Sequence, residues 1–444
     1  MHFQPFRLLG ALPLLLLLAC KDPETVAAEE KARAAQRALS EGRSLLANGQ
    51  AEAAVSYFKE AVTLLPRQLE PMLLLAEAHA QSGNLTAAIL LLRDAVTLDP
   101  REAPAIKREL VELYQQDGKP SLAIATLQEL KQEGQLGDID ILTLARLQAQ
   151  QGQHDAAFTT LETIQRKRPD DADAKVVEAE ILWRKGEEVA AAKLMDRLIE
   201  EQPGLAPARL LRARYFVESG YAQAAESDLS AVAPEEARKP EVVTLRARML
   251  IELKRYAEAE PLLVDALKSN PQNTELLLTL AETRLWLGRP HEAQMLVEQV
   301  LQSPNQNVSL RALFLRGNVL EKQRDLGRAK LAYRSVLEKD PGYGPALSRL
   351  WRLQRDTEEK LEVMNTLERL LELGKASIEE KVVLAELYLE TSTREEEALE
   401  LAEEALAAEP DNRRYQELHK SLKALRAPKQ PSGPIIIRGK PRRR

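Results

Sequence analysis

Histidine, cysteine and paired carboxylates are the residues that most often carry chemistry, and in this chain of 444 residues their placement argues against catalysis. The five histidines, His2, His79, His154, His291 and His419, stand singly and far apart, with no second His or Cys at metal-ligand spacing. There is no G-x-S-x-G, no G-x-x-x-x-G-K-[ST] and no H-E-x-x-H. Asp and Glu are plentiful, but they recur along solvated helix faces, and spacing alone pairs none of them. The sequence therefore predicts no enzyme, no cofactor and no metal. The one cysteine, Cys20, closes an apolar run, Leu8–Ala19, that follows a single basic residue, Arg7. That run is too short to span a bilayer and suits a secretory signal. A lone thiol in that place has no partner for a disulfide or a metal set.

The charged side chains that could bind a partner are placed by a repeated unit. Glu70–Pro100 reads EPMLLLAEAHAQSGNLTAAILLLRDAVTLDP. Two apolar runs at helical spacing flank Ser82-Gly83-Asn84, where glycine ends one helix and asparagine caps the next. Asp99-Pro100 stops the second helix. The unit is a helical hairpin of about 34 residues, and the chain repeats it. Gly49, Gly83, Gly118, Gly152, Gly186, Gly220 and Gly288 mark one turn, with Lys254 and Arg324 in the same slot. Alanine follows each marker at the same offset: Ala54, Ala88, Ala123, Ala157, Ala191, Ala225, Ala259, Ala293 and Ala329. A second small-residue series marks the first helices: Gly42, Ala76, Ala145, Ala179, Ala213, Ala247, Ala281, Gly317 and Ala385, with Val111 the exception. Small residues at fixed points let helix backbones approach closely, as stacked hairpins require. The low aromatic content, 4%, fits many Ala and Leu contacts and no single large core.

On these residues the chain closely resembles the tetratricopeptide repeat over about residues 35–425. Large residues four beyond each alanine (Phe58, Leu92, Leu127, Leu161, Met195, Leu229, Leu263, Val297, Tyr333) fit the same family. The resemblance implies an all-α, right-handed superhelical solenoid of about 10–11 repeats. It also implies a concave surface lined by the first helices. One residue after each small residue, that surface carries Arg43, Glu77, Glu112, Arg146, Glu180, Arg214, Arg248, Glu282, Asn318 and Glu386. Three residues before the small series, and four after it, the rows are largely apolar, as at Leu142 and Trp183. Such a groove would suit an extended peptide or a partner helix. Two expectations compete at the charged row: capture of a partner, or mutual neutralisation between rungs. Arg146, Arg214 and Arg248 with Trp183, interrupted by Glu180 and followed by Glu282, are the expected contact region for a carboxylate-bearing partner. The tenth unit, about 343–374, lacks the turn glycine and the alanine and holds Trp351.

The ends differ in kind. Leu17-Leu18-Ala19-Cys20 resembles the bacterial lipoprotein box. It implies a signal peptide at 1–19 and a diacylglycerol on Cys20, and Lys21 after the cysteine implies transfer to the outer membrane. Residues 20–34 are polar and read as a lipidated tether, followed by repeats at 35–411 and a capping helix at 412–425. Loss of Arg7 with the signal takes the net charge from −6 to −7, a mild acidity that argues against nucleic-acid binding. The tail, 426–444, holds seven basic residues, four prolines and no acidic residue, a composition of disorder. Arg438, Lys440, Arg442, Arg443 and Arg444 would touch anionic lipid or polysaccharide if the tail has a partner. The whole reads as an outer-membrane lipoprotein facing the periplasm. It resembles the tetratricopeptide lipoproteins that assist type IV pilus secretins or join synthesis to export in exopolysaccharide systems. A peptidoglycan- or polysaccharide-binding accessory protein is the alternative, and it would require exposed aromatics.

Overall fold

Alanine near the start of nine second helices is what lets their hairpins stack. In the computed structural model, Ala54, Ala88, Ala123, Ala157, Ala191, Ala225, Ala259, Ala293 and Ala329 are all 0% exposed. The structure describes residues 23–302, 309–355 and 360–426. The expected signal segment, Cys20 and the basic residues Arg438 to Arg444 lie outside the described residues.

The chain divides into two bodies, Met1–Leu315 and Arg316–Arg444. In the first, α1 (Pro23–Ala47) pairs with α2 (Ala51–Leu64), α3 (Leu69–Gln81) with α4 (Leu85–Val96), and α5 (Ala103–Gln116) with α6 (Pro120–Gln132). The next hairpins are α7 (Asp138–Gln150) with α8 (His154–Gln165), and α9 (Ala172–Arg184) with α10 (Glu188–Glu201). The sixth, α11 (Ala206–Glu218) with α12 (Ala222–Ser230), is followed by a single turn, α13 (Pro234–Ala237). Then come α14 (Pro240–Glu252) with α15 (Tyr256–Ser269), and α16 (Thr274–Trp286) with α17 (Pro290–Leu301). The division falls within α18 (Leu310–Lys322), which precedes α19 (Leu326–Lys339). The second body continues with α20 (Gly344–Arg355), α21 (Lys360–Glu372), α22 (Ile378–Thr391), α23 (Glu395–Ala408) and a last helix, α24 (Arg413–Arg426). Among the described residues there are no strands. The expected all-α solenoid of hairpins is the fold.

The hairpins whose turns are described close in the same way. The N–H of Asn84 donates to the His79 carbonyl at 2.8 Å, and equivalent bonds join Lys119 to Tyr114 and Tyr221 to Phe216. This bond requires the turn residue to be left-handed, which glycine adopts at little cost. The slots without glycine obey the same geometry: Lys254 has φ 59° and Arg324 has φ 66°. Behind the turn, the small residue of the first helix meets the large residue of the second, and their sizes are matched. Gly42 faces Phe58 and Gly317 faces Tyr333, whereas Ala76 and Ala145 sit in hairpins that bury Leu92 and Leu161 at the same place.

Three features depart from the sequence reading. The stretch read as a tether, 20–34, is helical from Pro23 onward. Its Ala, Glu, Lys and Arg are strong helix formers behind a proline that tolerates the first turn, so polarity here marks a solvated helix. The sixth hairpin has a second helix of only 9 residues. It is tied instead by Asp228, fully buried, which accepts from Arg209 at 3.0 Å and from Arg212 at 2.7 and 2.8 Å. In the tenth unit Trp351 occupies the small-residue place and is buried. Its Nε1–H donates to Glu380 of the next first helix at 2.9 Å. Burial alone would raise the Glu380 carboxyl, but hydrogen bonds from Ser348, Ser377 and Trp351 hold it below its ordinary value.

Candidate partner-binding face

Several charges of the row one residue beyond the small series are met by charges from a neighbouring rung, and Arg146 and Glu180 of the row meet each other. Arg43 bonds Glu70 of the next first helix. Arg146 approaches Glu180 at 3.6 Å, and Arg184 completes that pair from the other side at 3.2 Å. Arg311 holds Glu282 at 3.0 Å and also reaches Glu275 and the buried Thr279 hydroxyl. In the second body Arg414 holds Glu386 at 2.7 Å and Glu379 at 2.9 Å. Neutralisation between rungs is therefore the rule on this face.

Two stretches break the rule. Arg214 of α11 and Arg248 of α14 stand on consecutive rungs, the first half-exposed and the second exposed. Among the described residues neither makes an ion pair or hydrogen bond. The opposite sign is uncompensated at the second and third hairpins. Glu77 of α3 accepts only from the Gln81 side chain, at 3.1 Å, and Glu109 and Glu112 of α5 accept from no described donor. Burial pushes the Glu77 and Glu112 carboxyls up. Glu109 is pushed up to about 7, by burial first and then by the charges of Glu112 and Glu77.

The structure thus divides the residues expected to act together. Arg146 is committed to Glu180, which is a buried structural carboxylate and not a groove ligand. Glu282 is committed to Arg311. Trp183 is half-buried and stands edge-on to Tyr215, ring centroids 5.7 Å apart, with the Arg184 guanidinium 5.5 Å from its own centroid. Only Arg214 and Arg248 of that set remain open. The apolar rows are corrected as well. Leu39, Val176 and Leu278 in one, and Ala149, Val217, Ile251 and Leu285 in the other, are buried. They fill the seam between neighbouring first helices, whereas Leu73, Leu142 and Leu210 in the first row and Leu46, Ala80 and Trp183 in the second are half-buried. Outside these rows, Ile139 at the start of α7, six residues before the small Ala145, is 80% exposed. The sequence reading missed Arg311, Arg184 and Glu109. Arg311 and Glu275 both stand six residues before a small residue, and that shared offset is the signal that would have paired them.

Among the described residues no group of three or more His, Cys, Asp or Glu is placed to hold a metal ion. None of the described helices is long and apolar enough to cross a membrane.

Family models for the tetratricopeptide repeat match residues 39–105, 142–206, 250–313 and 311–343. Yeast Tom70 is similar at 14% identity and TM-score 0.41, over 89% of this chain and 96% of that one. A tetratricopeptide repeat protein from Parabacteroides merdae is similar at 16% and 0.41, over 65% of this chain and 99% of that one. The human IFIT1 dimer with m7Gppp-AAAA is similar at 16% and TM-score 0.50, over 78% of this chain and 85% of that one. A comparison with curated proteins gives no match. The chain carries tetratricopeptide repeats, and its helices are those repeats stacked.

Proposed function

We propose that this chain is a non-enzymatic scaffold that holds protein partners on its first-helix face, anchored in the bacterial outer membrane through Cys20. It would serve an envelope machine of the type IV pilus secretin or exopolysaccharide export kind. The observation that carries the binding role is the pair Arg214 and Arg248, left without counter-charges on a face where the other arginines of the row, Arg43 and Arg146, are paired. Leaving two like charges on adjacent rungs is unfavourable in the free protein and becomes favourable when a carboxylate-bearing segment arrives. The anchor is supported by the run Leu8–Ala19 before the only cysteine. The test is radiolabelled palmitate incorporation together with crosslinking in intact cells. Label present in the natural chain and absent from Cys20→Ala, with secretin, pilus or export subunits captured, supports the proposal. Label that persists in Cys20→Ala removes the anchor.

One observation favours the glycan-binding alternative. Trp286 is 46% exposed and stacks on Tyr256 at 5.8 Å and 8°, a flat aromatic surface of the sort that sugars cover. Retention on peptidoglycan or surface polysaccharide that is lost in Trp286→Ala, with no protein captured, would favour it.

A further inference from the structure

Resting on the proposed use of this face, we infer that the segment seated on the first body is bipolar and lies in one direction only. Its Lys- or Arg-bearing end covers the second and third hairpins, and its Asp- or Glu-bearing end covers the sixth and seventh. The argument is charge complementarity. At one end, Glu77, Glu109 and Glu112 lack cationic partners. At the other, Arg214 and Arg248 lack anionic ones. Between them the charges are spent on each other: Arg108 on Asp140 at 2.9 Å, and Arg146 and Arg184 on Glu180. The middle of the face therefore reads no charge. It offers Ile139 on the lip, beside the half-buried Leu142, for one aliphatic side chain of the occupant. A uniformly basic or acidic segment would satisfy one end and meet like charge at the other, which costs affinity. Turning the bound segment end for end would place like charge at both ends.

Four hairpins at an interaxial spacing of 8–10 Å put the two ends roughly 30–40 Å apart along the stack. An extended segment of about 12 residues covers that distance. The test uses fluorescent synthetic peptides of about that length. One carries lysines at its amino end, a central leucine and glutamates at its carboxyl end; a second has the reverse order; two more are all-Lys and all-Glu. Binding to the full mature chain is read by fluorescence anisotropy. A photoreactive p-benzoylphenylalanine at position 139 reports whether the peptide lies on this face.

Charge fixes which end of the segment lies where and not its amino-to-carboxyl sense, so both bipolar peptides should bind about tenfold more tightly than either uniform peptide. A benzophenone carried beside the lysines of either bipolar peptide should crosslink to the second or third hairpin of the natural chain, and to the sixth or seventh in the exchange variant Glu109→Lys, Glu112→Lys, Arg214→Glu, Arg248→Glu, with unchanged circular dichroism. Uniform peptides that bind as tightly as the bipolar ones, or a lysine-end crosslink that the exchange leaves in place, overturns the inference. Crosslinking at position 139 without these preferences overturns the polarity alone and leaves the face in use. Absence of any crosslink overturns the use of the face as well.

Discussion

Replacing Gly42 by alanine should destabilise the first hairpin, although alanine is the better helix former. Gly42 lies inside α1, and in an open helix the substitution would stabilise by about 0.5–1 kcal/mol. Here a Cβ would stand 2.6, 2.8 and 2.9 Å from three ring carbons of Phe58. Phe58 is fully buried, so its ring cannot swing into solvent, and relief must come from helix separation. Overpacking of that kind costs about 1–3 kcal/mol, so the net loss is about 0–2.5 kcal/mol. The decisive measurement is a double-mutant cycle read by denaturant unfolding and by hydrogen exchange of the α1 and α2 amides. Phe58→Leu alone opens a cavity and should also destabilise. Gly42→Ala with Phe58→Leu recreates the Ala and Leu pairing of the second hairpin, Ala76 with Leu92, and should recover most of the loss. The coupling should therefore be favourable by about 1–2 kcal/mol. A Gly42→Ala protein more stable than the parent, or a cycle with no coupling, would refute the size-matching argument.

Asp228→Ala should cost about 3 kcal/mol, because it strands Arg209 and Arg212 beside a site that is fully buried. Denaturant unfolding within about 0.5 kcal/mol of the parent would contradict that. Lys254→Gly should stabilise by about 0.5–1 kcal/mol by removing a side chain from a left-handed turn, and thermal unfolding reads the sign. Glu109 binds its proton more tightly folded than unfolded, so it contributes a loss of stability that grows as pH rises from its unfolded value through about 7. Glu109→Gln should accordingly stabilise by about 1–2 kcal/mol at pH 8 and hardly at all at pH 5. Equal effects at both pH values would show that the carboxylate is not strained.

What the sequence made legible is what repeats. Ala54 to Ala329 can be read because one small residue per unit has one job, and the turn slot held even at Lys254 and Arg324, where glycine is missing. Trp351 was visible as an anomaly, but its register was the missed clue. It replaces the small residue, and the unit is rebuilt around its indole and the Glu380 carboxylate. The helix beginning at Pro23 was hidden because a solvated helix and a polar linker share a composition. The charged face was half legible. Its row could be read, whereas the fate of each charge depends on which neighbour reaches it. Glu180 meets two arginines and is buried, Glu282 meets Arg311, and Arg214 and Arg248 meet none. No spacing rule in one chain separates those outcomes, since partners on adjacent rungs are some 30 residues apart in sequence and are chosen by side-chain reach.

The central claim is that Arg214 and Arg248 hold a protein partner. It is tested most directly by crosslinking in intact cells with the tagged natural chain and with Arg214→Glu, Arg248→Glu. Capture of an envelope protein should fall about tenfold or more in the variant while its helical circular dichroism is unchanged. Undiminished capture of the same partner by a folded variant would contradict the account.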